Sequence, residues 1–410
     1  MKIVIIGASA AGISAAKTIK ASEPDTEVVI IAKEDRVHSR CMLHKFLGHQ
    51  RDAQGISFIA DDFFESSGIS WLNNTTVIGL DAQNKTVKTH DNQDISYDKL
   101  LIASGASYFI PPIPGLRESK NVYGFRDLKD AQLLDRECNT AKDAVVIGAG
   151  LVGMDAAVAL LERGLKVTVI EMTAAVMSLQ LDQKSADAYQ QLFEEHGAAF
   201  ILADKVVSVD VDAVGRGRTI HLASGKAVAA DLIVIAAGVR PAFNFTEGSG
   251  IATNHAILVG DDLKTNIDDI YAAGDVTGMA GIWPNAMKQG RIAAINMLGE
   301  KLLYQDRYAL KNTINFFGLT TLSLGNINPQ PEEKCQILIR EDRNNYQKLV
   351  IKNGVVEGVI FQGNIGGSGF WQYLIKNKID LSAKNKDLFS LSYADFYDQD
   401  PATGEYRYAV

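Results

Sequence analysis

Cysteine is scarce in this chain. Cys41, Cys138 and Cys335 are the three present in 410 residues, odd in number and without a C-x-x-C spacing, so neither a disulfide framework nor a metal site is expected. Long apolar runs are also missing, and no stretch of eighteen apolar residues offers a membrane span. Charge of one sign is nowhere concentrated: 41 lysines and arginines stand against 49 acids, a net charge of -8, and no basic block suggests nucleic acid or an anionic membrane. What is present, 47% hydrophobic and 22% charged residues, suffices for two or three ordinary cores. The opening "MKIVIIGASAAGISAA" has the lysine, apolar run and small-residue end of a secretory leader. The run is nevertheless a short β-branched strand that meets Gly7 and a small-residue helix, and a cytoplasmic protein is the expectation.

The chain carries an internal echo. "IVIIGASAAGISAA" from Ile3 returns as "AVVIGAGLVGMDAA" from Ala144, the second glycine turn 141 residues after the first. Strand, glycine turn and helix, twice, imply two nucleotide-binding units. In the second copy Gly148, Gly150 and Gly153 complete G-x-G-x-x-G, which allows a tight turn, close approach of backbone to a pyrophosphate, and a helix N-terminus aimed at phosphate. The strand "LKVTVIE" ends on Glu171, 23 residues after Gly148, where a carboxylate accepts from a ribose 2′-hydroxyl and repels a 2′-phosphate, favouring NAD(H). The first copy has Ser9 between Gly7 and Gly12 where glycine is usual, a residue that fits provided the backbone there avoids positive φ. Its second strand ends on Ala32 and Lys33, leaving Glu34, or Asp35 beside it, as the carboxylate for a ribose.

Three later strand ends follow in order: "YDKLLIASGA" with Ala103, Ser104 and Gly105, "DLIVIAAGVRP" with Gly238, and "TNIDDIYAAGDVTG" with Gly274 and Asp275. With the two glycine turns, they make residues 1 to about 300 resemble the FAD-dependent pyridine-nucleotide-disulfide oxidoreductases. The resemblance implies an α/β fold of two Rossmann-like domains, with an NAD-binding domain (116–244) inserted in an FAD-binding domain (1–115 and 245–305). It implies FAD on Gly7, Ser9, Ala11, Gly12, Lys33, Glu34 and Arg40, with the Val77 backbone holding adenine and Ala103, Ser104 and Gly105 closing over the flavin nucleotide. Arg126 joins that set, Asp275 takes the ribitol, and Trp283 and Ala286 lie on the helix whose N-terminal end faces the flavin pyrimidine. NAD is assigned to Gly148, Gly150, Leu151, Val152, Gly153, Glu171 and Gly238. The prolines and glycines of "FIPPIPG" and "GVRPAFNF" mark the crossovers.

Residues 306–410 read as a separate small α+β domain with an aromatic tail. "QKLVIKNG" and "VVEGVIFQGN" alternate and turn at Asn353-Gly354, a hairpin signature. This meander resembles the C-terminal domain of rubredoxin reductases and of the flavin module of nitrite reductases. In the segment "VHSRCMLHKFLGHQR", Arg40, Leu43 and Lys45 match that branch, where Cys41 stands for a proline and His44 for a serine. The resemblance makes Lys45 a flavin-side lysine whose partner is Asp155, one methylene shorter than the family's glutamate. Cys41, Leu43, Phe46, Leu47 and Gly48 also resemble the single-cysteine NADH oxidases, peroxidases and coenzyme A disulfide reductases. Basic neighbours and a helix N-terminus would then favour a Cys41 thiolate; the plainer reading is a small buried filler. The expectation is an NADH-dependent FAD enzyme passing electrons to rubredoxin or a similar small iron-sulfur protein, with a Cys41 oxidase, peroxidase or disulfide reductase as one alternative. A flavin subunit of a larger redox complex is the other.

Overall fold

The computed structural model describes residues 1–279, 281–306 and 311–408. The last two residues of the expected tail, and four at the expected start of the small domain, lie outside the described residues. Two compact units emerge, Met1–Met172 with His196–Gln305, and Thr173–Glu195 with Asp306–Val410.

The larger unit holds two five-stranded parallel sheets, one behind each glycine turn. In the first, strands Ile270–Ala272, Lys99–Ile102, Lys2–Ile6, Glu27–Ile31 and Ile69–Leu72 lie side by side in that order. Ile3 to Ile5 are fully buried, as near-continuous apolar strands between two covering layers must be. The second sheet repeats the plan with Ala198–Ile201, Lys166–Ile170, Asp143–Ile147, Leu232–Ile235 and Val122–Tyr123. Two chain passages between the sheets, Ala106–Tyr108 just ahead of the predicted crossover "FIPPIPG" and Val239–Pro241 within "GVRPAFNF", pair antiparallel as a two-stranded ribbon.

In the smaller unit the strands Lys311–Phe316, Leu319–Gly325, Val355–Gln362, Tyr346–Lys352 and Gln336–Glu341 form an antiparallel sheet. Asn353 (φ 50°) and Gly354 (φ 78°) make the predicted tight turn, both at positive φ as a type I′ hairpin requires. Helix Ser368–Asn377 covers the sheet through Phe370, Trp371 and Leu374. The tail stapled to its own chain is seen in part: Phe396 is 2% exposed and its ring lies 5.3 Å from Phe370, whereas Tyr406 is 72% exposed.

One segment departs from the expected boundaries. Residues 173–195, read from sequence as part of the NAD-binding stretch, cluster with the small sheet. The reason lies in helix Gln183–Glu195, whose fully buried Tyr189 and Phe193 meet the ring of Phe316 and whose Tyr189 hydroxyl donates to Leu319 O at 2.9 Å. Just before it, buried Asp182 accepts from Tyr346 Oη at 2.7 Å and pairs with buried Lys348 at 3.1 Å. Removing one partner of such a pair strands a charge in the interior. Asp182→Ala is therefore expected to lower the stability of this unit by about 3–5 kcal/mol in chemical denaturation, with Asp182→Leu/Lys348→Met recovering most of the loss.

Candidate functional site

A cavity of about 610 Å³ opens at the C-terminal edge of the first sheet, within the range of cofactor sites. Its walls begin at the first glycine turn. Gly7 sits at φ +108°, where a Cβ would lie 2.2 Å from Ala103 O, and a Cβ on Gly12 would lie 1.9 Å from Gly7 O. Ser9 takes φ -103° and caps helix Ala10–Ser22, so serine replaces the middle glycine without strain, as its position requires. Ala11 is pressed by the helix Trp283–Met297, where a Cβ on Gly290 would fall 2.0 Å from Ala11 O. That second helix brings its first residues, Trp283 and Ala286, to the cavity wall.

The expected FAD residues Gly7, Ser9, Ala11, Lys33, Glu34, Arg40, Cys41, Val77, Ala103, Ser104, Gly105, Arg126, Gly274, Asp275, Trp283 and Ala286 all line this one cavity. Gly12 lies behind the wall as a packing glycine, and Asp35 and Lys45 are not in the lining. Glu34 Oε1 stands 3.2 Å from Arg40 Nη2, and Lys33 Nζ 3.0 Å from Asp127 Oδ2. Arg40 donates through Nη1 to Arg126 O at 2.8 Å, and the Arg126 guanidinium pairs with Asp275.

These features fit FAD. Burial, and then the charge of Arg40, draw the Arg126 guanidinium below its usual value, a crowding of cations that an anionic ligand relieves. Gly105, at φ +71°, faces open space with no atom within 4 Å of where a Cβ would stand. Buried Gln289 accepts from Gly274 N at 2.7 Å and leaves its Nε2 without a partner.

The second glycine turn reproduces the first in detail. Gly148 takes φ +108°, and a Cβ on Gly153 would lie 1.9 Å from Gly148 O. Gly150 caps helix Leu151–Glu162 with nothing within 4 Å of its Cβ position, leaving the helix start open beside Leu151 and Val152. Glu171 reaches back to this turn, its Oε2 accepting from Ala149 N at 2.7 Å. Gly238, at φ +102°, leads into the crossover ribbon.

Around Cys41 the structure corrects two expectations. The thiol lies on the turn Arg40–Met42 ahead of the short helix Leu43–Leu47 and opens onto the cavity. Burial and the Asp155 carboxyl nevertheless push it up, and the nearby Arg126 and Arg40 do not reverse this. Among the basic residues of the segment His44 adds no charge, being neutral and drawn down to about 4 by burial and then by Lys45. The second correction concerns the expected Lys45–Asp155 pair, which does not close within 4 Å: among the described residues it is the neutral His44 ring that comes within 4 Å of Asp155, Nδ1 to Oδ1 3.5 Å. Lys45 acts on both Asp155 and Glu162 of the second glycine helix, and aspartate is too short to draw it to one side. Burial holds Asp155 up at about 7, against the partial pull of Lys45. Sequence reading noted His44 only as a substitution, because its engagement depends on which helix lies opposite.

Among the described residues no His, Cys, Asp and Glu cluster could hold a metal, and no helix is long and apolar enough to cross a membrane.

Residues 1–290 match the family model "Pyridine nucleotide-disulphide oxidoreductase", and 311–379 match "Rubredoxin NAD+ reductase C-terminal domain". The chain is 30% identical over 391 residues to nitrite reductase [NAD(P)H] of Bacillus subtilis, covering 94% of itself and 48% of that protein. It is also 30% identical over 393 residues to the NADH-dependent phenylglyoxylate dehydrogenase subunit epsilon of Aromatoleum evansii, covering 93% of each. The chain thus spans about half the length of the nitrite reductase and nearly all of the epsilon subunit. The water-forming NADH oxidase of Lactobacillus brevis, solved with NADH bound, superposes with a TM-score of 0.83 at 26% identity, covering 93% of this chain and 91% of that one.

The raised thiol gives a direct test. With Cys138 and Cys335 replaced by alanine, alkylation of Cys41 by iodoacetamide should climb with pH through and beyond the ordinary thiol range near 9. A rate already flat between pH 6 and 8 would mean a preformed thiolate.

Proposed function

Since the chain belongs to the pyridine nucleotide-disulphide oxidoreductase family, we propose that it is an FAD- and NAD(H)-dependent oxidoreductase that passes electrons from NADH through FAD to rubredoxin or a similar small iron-sulfur protein. The observation that carries the choice of acceptor is the small antiparallel sheet, whose residues 311–379 match the rubredoxin reductase C-terminal domain. FAD supplies the chemistry that converts a two-electron donor into single-electron delivery.

The residues of the chain bind, orient and select. The glycine turns at Gly7 and Gly148 bring two helix N-termini to their dinucleotides, where unpaired N–H groups favour phosphate. The first turn of helix Trp283–Met297 faces the cavity and presents the positive end of its dipole there. Glu171, at the second turn, offers acceptors to a ribose diol and like charge to a 2′-phosphate. Lys45 adds positive potential at Asp155 and at Glu162.

A second reading, an electron-transfer subunit of a larger complex, has support in the end-to-end match with the epsilon subunit of phenylglyoxylate dehydrogenase. Reduction of peroxide or a disulfide through Cys41 has less support, because the thiol is held up where that chemistry begins from a thiolate.

In stopped flow, NADH should bleach the bound flavin much faster than NADPH, and Glu171→Ala should narrow that ratio by at least about tenfold, the worth of one carboxylate–phosphate clash. Equal rates with both donors in the unaltered protein would remove the NADH assignment. An acceptor screen completes the test: NADH-driven reduction of rubredoxin that survives Cys41→Ser supports the proposal. Activity confined to peroxide or disulfides, and abolished by Cys41→Ser, would overturn it.

A further inference from the structure

Three groups meet where the turn Arg40–Met42 and the helix Leu43–Leu47 face the second glycine helix: the Cys41 thiol, the His44 imidazole and the Asp155 carboxyl. His44 Nδ1 is buried and makes no hydrogen bond, yet it stands 3.5 Å from Asp155 Oδ1. A ring nitrogen and a carboxyl oxygen this close, each short of partners, need move only a few tenths of an ångström to share a proton. An ionised pair here would bury two charges together. The shifts instead make both groups neutral between about 4, for His44, and about 7, for Asp155, with the proton on the carboxyl and Nδ1 as its acceptor. The other charged or titratable groups that bear on the pair are Lys45, whose field lowers both members and also reaches Glu162 farther along the second glycine helix, and the Cys41 thiol on the adjoining turn.

We propose that Asp155 and His44 form a proton-holding pair beside Cys41, and that this pair takes up the proton left behind when electrons that arrive as hydride depart singly. The inference rests on the one-electron reading of the preceding section. Its balance is NADH plus two oxidised one-electron acceptors giving NAD+, two reduced acceptors and one proton. The nicotinamide C–H bond breaks, each acceptor gains one electron, and the proton needs a base on the protein before it reaches water. Asp155 can serve because both of its forms are populated near neutral pH, and His44 holds the carboxyl in place once it is protonated. A disulfide acceptor inverts the demand: NADH, one proton and R–S–S–R give NAD+ and two thiols, and the pair would have to donate.

Infrared spectroscopy of the FAD-loaded protein tests the pair without any acceptor. A protonated-carboxyl C=O band should disappear as pH rises through about 7, be absent in Asp155→Asn, and titrate about one pH unit lower in His44→Gln, whose amide donates to the ionised carboxylate. The uptake step is read with ferricyanide, a one-electron acceptor. After NADH reduction, oxidation should quicken with pH through the same midpoint, and Asp155→Asn should flatten the profile and slow the rate at pH 8 roughly tenfold. A carboxyl that titrates in the ordinary range, or a His44→Gln midpoint unchanged, with ferricyanide still reduced, would overturn the pair and leave the one-electron reading standing. The expected infrared titration with electrons reaching disulfides alone would overturn the uptake step and that reading together.

Discussion

At Gly12 and Gly153 a single methyl group would stand 1.9 Å from a carbonyl oxygen of the turn that opens its own helix, and those carbonyls belong to Gly7 and Gly148, both at φ +108°. The larger unit depends on this contact. It seats each helix hard against the strand before it, which aims the helix N-terminus at the open edge of the sheet. Once the first helix is fixed, Gly290 lets Trp283–Met297 pack on Ala11, and that packing carries Trp283 and Ala286 to the cavity wall. A cavity lined from Ile6 to Ala286 therefore traces back to a few positions where only hydrogen fits.

What could be read from the sequence was whatever the backbone encodes locally. The two glycine turns, the tolerance of Ser9 and the Asn353-Gly354 hairpin each follow from φ preference or strand period, and each stands in the structure where the residues put it. Likewise the cavity gathers the residues that follow four strands of the first sheet, Lys2–Ile6, Glu27–Ile31, Lys99–Ile102 and Ile270–Ala272. The failures all lie in tertiary contact. Residues 183–195 fell inside the expected NAD-binding stretch 116–244, and only the rings of Tyr189 and Phe193 against Phe316 show which sheet the helix serves. Lys45 was paired with Asp155 by resemblance, but in the structure its charge is shared between Asp155 and Glu162 and closes on neither within 4 Å.

The surroundings of Cys41 show why a count of basic residues misleads. Arg40, His44, Lys45, His49 and Arg51 surround the thiol in sequence, yet desolvation discharges His44, and the nearest acid belongs to a helix over a hundred residues away. Coulomb energy depends on distance and dielectric, and burial changes both the charges present and their reach. Desolvation is the leading cause at both groups: it raises the thiol, which still opens onto the cavity, and it raises Asp155.

The segment Thr173–Glu195 leaves the larger unit after Met172, joins the smaller one, and returns at His196. The small unit is thus tied into the chain by its middle as well as by its end. Clean transfer of residues 306–410 to another protein, by gene fusion or by recombination at one junction, would leave behind the helix that fills its core with Tyr189 and Phe193. A lineage that lost the small unit would have to replace that helix in the same step or expose two aromatic side chains. Substitutions at Tyr189, Phe193 and Phe316, all in the smaller unit though more than a hundred residues apart in sequence, are therefore expected to be constrained as a set.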